Sequence, residues 1–164
     1  MRLLRYVPLG IAVVITQVAL MPQLRLFGVV PDLGLLFALA IAWYEGSETG
    51  AVFGFLVGCA YDLFLPTPLG MTGLAYALCA WTLGLTQGMV MRRSRLLTVA
   101  IGFLGGLLSG TIFVITSILA GADQLQQPSV VGVVLRVALY DALLAPLAFY
   151  LVTVLRGRRQ PVYA

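Results

Sequence analysis

The sequence predicts an all-α integral membrane protein, a compact bundle of six transmembrane helices forming one domain over 1–164. Three observations predict it. Of the 164 residues, 61% are apolar and only 10% are charged, against about 25% charged in an ordinary soluble domain. Mean hydropathy is +1.04. The apolar residues gather into runs at 6–22, 32–44, 49–65, 71–91, 96–120 and 130–155, broken by short polar or Pro/Gly segments. At about 20 residues per crossing, these runs use almost the whole length and leave no room for an extramembrane domain.

The first run follows Arg2 and Arg5 and stops at Pro22. No small-x-small cleavage site follows it, so it is expected to be a retained helix rather than a signal peptide. Pro31-Asp32 opens the second run, where a short acid after a proline can cap free helix amides and face the positive end of the dipole. That run is short, since about a dozen residues rise only about 18 Å against a hydrocarbon core of about 30 Å. The second and third runs therefore form either two crossings or a short re-entrant pair. Glu45 and Glu48 fall in the turn between them and are expected to be solvated. Pro66-Thr67-Pro68-Leu69-Gly70 is a turn before the fourth run, and Arg92, Arg93 and Arg95 close that run. The fifth run ends in a polar loop at 121–129, and the sixth contains Pro146, which favours a kink, before the basic tail from Arg156.

Arginine placement orients the bundle, because positive loops stay cytoplasmic. With six crossings and a cytoplasmic N-terminus, Arg2, Arg5, the Arg92 cluster and the Arg156 tail all lie inside, and only Arg25 and Arg136 lie outside. Merging the second and third runs into one crossing would put the middle cluster outside. The expectation is thus a multi-pass bacterial inner-membrane protein with both termini cytoplasmic.

Composition also removes chemistry. The chain has no histidine, and all ten basic residues are arginine, so imidazole bases, Ser-His or Cys-His pairs and Schiff-base lysines are excluded. Cys59 and Cys79 sit in apolar runs without Cys-x-x-Cys spacing, as expected of buried small residues. No cofactor or metal is expected. The net charge of +4 comes from arginines beside apolar segments, which marks membrane orientation rather than nucleic-acid binding.

Small residues four apart mark helix interfaces in lipid. Gly50, Gly54 and Gly58 make one stripe with Gly46, Gly102, Gly106 and Gly110 make a second beside Gly105, and Gly84 and Gly88 add a pair. Each stripe serves either packing within the bundle or docking of a partner's transmembrane helix. Ionisable groups inside spans cost about 2.5 to 3.5 kcal/mol each on insertion scales. Asp62, Arg136, Tyr140 and Asp141 form the candidate polar cluster, with Tyr61 beside Asp62, and Gln17 is a candidate interhelical hydrogen bonder. One reading is a structural core in which Arg136 neutralises a carboxylate. The other is an intramembrane aspartyl peptidase with Asp62 and Asp141 sharing a proton. The context Gly58-Cys59-Ala60-Tyr61-Asp62 lacks the Gly-x-Gly-Asp pattern of such proteases, and a nearby arginine favours separate ionised carboxylates. The structural reading ranks first.

The order of features resembles a known family. Pro31-Asp32-Leu33 opens a short run, Gly50-x-x-x-Gly54-Phe55-Leu56-x-Gly58-x-x-x-Asp62-Leu63 follows, and Pro68-Leu69-Gly70 precedes a span with Ala75 and Tyr76. This pattern, closed by Asp141-Ala142-Leu143-Leu144-Ala145-Pro146, resembles the rod shape-determining protein MreD family, which more often has Asn in place of Asp141. The resemblance implies a non-catalytic subunit of the cell-elongation and peptidoglycan-synthesis complex, binding MreC and, through it, MreB and RodA with its penicillin-binding protein. It also implies a fold similar to the substrate-binding subunits of energy-coupling-factor transporters, so a vitamin-binding subunit is the second functional expectation and the peptidase a distant third. MreC is expected to dock its span on one of the glycine stripes, with the outer segments at 66–69 and 121–129 touching it.

Overall fold

The computed structural model describes residues 6–20, 23, 28–65, 68–86, 95–119 and 129–156. Among them lie helices α1 (Val7–Ala19), α2 (Leu33–Glu45), α3 (Ser47–Asp62), α4 (Met71–Leu85), α5 (Arg95–Leu119) and α6 (Ser129–Leu155), and no extended strand. Arg2, Arg5, Arg25, Arg92, Arg93, Arg158 and Arg159, which carry most of the orientation signal, lie outside the described residues, as do 66–67, Gly88 and 121–128.

Helix ends follow local chemistry. Asp32 caps α2 by accepting from the Leu35 amide at 3.3 Å. Gly46 ends α2 and begins α3 in one residue with φ 104° and ψ 164°, a region essentially reserved for glycine. The two helices therefore double back as a tight antiparallel hairpin. Gly70, at φ 97°, makes the corresponding turn into α4.

The short second run is the centre of the molecule. Every residue from Gly34 to Trp43 is buried, and α2 packs on all five other helices. A helix of 13 residues rises about 20 Å, less than a bilayer core, but its ends are enclosed by protein. Backbone that stops short at membrane depth is tolerated under that condition.

Around this pillar the exterior is apolar. Ile11 and Ile15 of α1, Phe55 and Leu56 of α3, Leu78 and Trp81 of α4, Leu104 and Ile115 of α5, and Leu143 and Leu147 of α6 are exposed. Soluble monomers rarely display so continuous an apolar surface. By length and composition, Leu96–Thr116 and Val130–Leu155 can cross a membrane, whereas α1, α2 and α4 are apolar but shorter. The six expected helices are present; α1 runs to Ala19 and α4 to Leu85, and the expected limits at 22 and 91 lie outside the described residues.

Candidate functional site

Two polar junctions hold the ends of α2. At its N-terminus, Gln17 of α1 is buried and reads the backbone on both sides of Asp32: its Nε2 donates to the Pro31 carbonyl at 2.9 Å, and its Oε1 accepts from the Leu33 amide at 3.0 Å. The Asp32 amide donates to Asp141 Oδ1 of α6 at 2.7 Å. The Tyr76 hydroxyl of α4 donates to Asp32 Oδ1. Three helices thus satisfy the free polar groups that the start of α2 would otherwise bury.

At the other end, Glu45 is not solvated as expected. Its side chain is 7% exposed; it pairs with the Arg156 guanidinium at 3.0 Å and accepts from the Tyr6 hydroxyl at 3.0 Å. Arg156 also lies over the Tyr44 ring, 5.5 Å from its centroid. Burial of the acid follows from α2 being the pillar, since its last turn must end inside the ring of helices. The Glu45 junction gathers the start of α1, the α2–α3 turn and the end of α6 on one face.

The expected four-residue polar cluster separates. Asp62 Oδ2 accepts from the Gly70 and Thr72 amides, at 2.8 and 3.1 Å, and so fastens the end of α3 to the Pro68-Leu69-Gly70 turn and the start of α4. Asp141 serves the start of α2 instead. Asp62 and Asp141 are therefore each engaged by a different helix N-terminus, not by one another, and the acid next to Asp141 is Asp32. Arg136 is exposed on α6, with its Nε donating to the Gly132 carbonyl at 3.0 Å. Tyr140 lies on the groove described below.

The glycine stripes face inward. A Cβ on Gly50 would lie 2.5 Å from Ala42 Cα, one on Gly54 3.0 Å from Ala38 Cβ, and one on Gly58 2.5 Å from Gly73 Cα. On α5, a Cβ on Gly102 would lie 2.5 Å from Ala145 Cβ, on Gly106 2.8 Å from Ala138 Cα, and on Gly110 2.7 Å from Val134 Cγ1. The first stripe seats α2 and α4 and the second seats α6. Partner docking on either would require displacing a helix of the chain itself, which corrects that expectation. Among the described residues an apolar groove of about 640 Å³ lies open between α1 and α6, lined by residues such as Ala12, Thr16, Phe37, Tyr140 and Leu144.

Gln17, Glu45, Tyr6 and Tyr76 matter more than their sequence context suggested. The legible signal for Tyr76 was a phenol inside an apolar run, which needs a partner once buried. For Glu45 it was an acid directly ending the run that forms the core.

A pillar helix pinned at both ends, inside a ring of helices with an apolar exterior, defines a small helical membrane protein. The sequence contains neither histidine nor lysine. The chain belongs to the family of the rod shape-determining protein MreD, whose family model matches residues 2–156. Neither a curated protein nor a solved structure matches it. Membership assigns the chain to rod-shape determination.

Proposed function

We propose that this protein is a non-catalytic scaffold subunit of the bacterial cell-elongation complex. It crosses the inner membrane six times with both termini in the cytoplasm, and it holds MreC and, through it, MreB and RodA with its penicillin-binding protein. The family match over residues 2–156 carries the reading. The Tyr6–Glu45–Arg156 junction supports the orientation, since it brings both ends of the described chain to one face.

Because the stripes are filled by the chain's own helices, the transmembrane helix of MreC is assigned to the groove between α1 and α6. The groove is long, apolar and faces outward, and contact area rather than hydrophobicity drives association in lipid. Ala12 is exposed and lines it. Ala12→Trp fills the groove without touching the core, so co-purification of MreC should fall about tenfold or more, equivalent to about 1.4 kcal/mol, while the variant inserts and melts normally. Undiminished co-purification would remove the groove as the docking face.

A further inference from the structure

A second cavity, of about 280 Å³, lies within the bundle beside the start of α2, and its lining includes Asp32, Tyr76, Thr72, Ser109, Val134 and Asp141. Asp141 is 0% exposed; its Oδ1 takes the Asp32 amide, but its Oδ2 has no hydrogen-bond partner. Thr72, 6% exposed, likewise has an unpartnered Oγ1. Buried polar oxygens are nearly always satisfied, and a buried carboxylate oxygen left alone is costly. Among the described residues the cavity is lined by two carboxylates and no basic side chain, and most of its remaining wall is valine, leucine and phenylalanine.

We propose that this cavity binds a small organic cation: a protonated primary amine on a compact apolar body. The ammonium would donate to Asp141 Oδ2 and Thr72 Oγ1, and the apolar body would lie against Val134 and its neighbours. A metal ion fits less well, because no group of three His, Cys, Asp or Glu is placed to hold one among the described residues, and hard cations such as calcium take six to eight oxygens. The volume is close to the small end of ligand pockets, about 300 Å³, which limits the body to a ring or a branched chain. Val133 of α6 lines the cavity and is exposed.

The test is calorimetric titration of the full-length protein in lipid nanodiscs with benzylammonium, cyclohexylmethylammonium and isobutylammonium, and with benzyl alcohol and benzoate as neutral and anionic counterparts. At least one ammonium should bind, about tenfold or more tighter than the alcohol, and benzoate should not bind. Asp141→Asn keeps an acceptor for the Asp32 amide and Val133→Trp fills the cavity from an exposed lining position; both should melt within about 4 °C of the wild type and lose the ammonium. Failure of all three amines to bind, equal binding of benzyl alcohol, or ammonium binding that survives Asp141→Asn would each overturn the proposal. The first result would leave a proton as the occupant of Asp141.

Discussion

Asp141 of α6 accepts a hydrogen bond from the backbone amide of Asp32 at 2.7 Å, across 109 residues of sequence. The bond is made to the main chain, not to the acid itself. Together with Gln17 and Tyr76 it turns the N-terminus of a short helix into a place where three surrounding helices meet. Most of the experimental consequences of the fold start from this point or from its counterpart at Glu45.

Asp141→Leu leaves the Asp32 amide buried without an acceptor. The cost should be about 1–3 kcal/mol, measured by denaturation in detergent. Asp141→Asn retains a carbonyl oxygen in reach of that amide and should cost less than about 1 kcal/mol. Equal losses from the two variants would contradict the assignment of Asp141 as an acceptor for the backbone.

Arg156 is 36% exposed and Glu45 7%, so the pair is unequal. Arg156→Gln strands a buried carboxylate, whereas Glu45→Gln keeps an acceptor for Tyr6 and leaves only a half-exposed cation. The arginine variant should therefore be the less stable of the two. The double variant should be less destabilised than the sum of the singles, by about 0.5–3 kcal/mol. Strict additivity in this cycle would show that the junction contributes nothing as a pair.

Gly50→Ala and Gly58→Ala each place a methyl within 2.5 Å of a neighbouring helix's Cα, and backbone cannot move aside as a flexible side chain can. Each should cost about 1–3 kcal/mol. Leu104→Ala, on the exposed side of α5, should stay within about 0.5 kcal/mol. For the same steric reason Gly54→Leu and Gly106→Leu should lower the yield of folded protein, not simply release a partner from an intact one. Normal yield and melting of both leucine variants would show that the stripes are not the internal seams.

The existence and order of the helices were legible because apolar runs and Pro/Gly breaks are local signals. The central position of α2 was not. Its shortness in sequence is compatible with two crossings or a re-entrant pair, and only the tertiary arrangement shows a run of residues enclosed on every side, for which local hydropathy has no distinct mark. Glycine spacing located the seams but could not say what filled them, since a four-residue stripe looks the same against one's own helix and against a partner's. The polar residues are legible individually, but their hydrogen-bond partners are not. Asp62 and Asp141 each bond backbone amides at a different helix start, and amides carry no sequence signature, so pairing acid with acid or with Arg136 was the only grouping that side chains alone could suggest. The burial of Glu45 is not legible in the sequence because a turn is usually wet, and this one closes on the buried pillar.

Gly46→Ala isolates the hairpin. With φ 104° and ψ 164°, the alanine is strained whatever space surrounds it, by about 1–3 kcal/mol. The loss should appear as a lower melting temperature with unchanged helix content by circular dichroism in the folded baseline. An unchanged melting temperature would place the turn in a different backbone conformation.

The most direct measurement is cell shape on depletion of this protein in its own host, with complementation by the wild type and by Ala12→Trp. The scaffold reading predicts that depleted rods round into spheres, that the wild type restores rods, and that the inserted Ala12→Trp protein does not. Depleted cells that keep their rod shape, above all if they acquire a vitamin requirement, would contradict it.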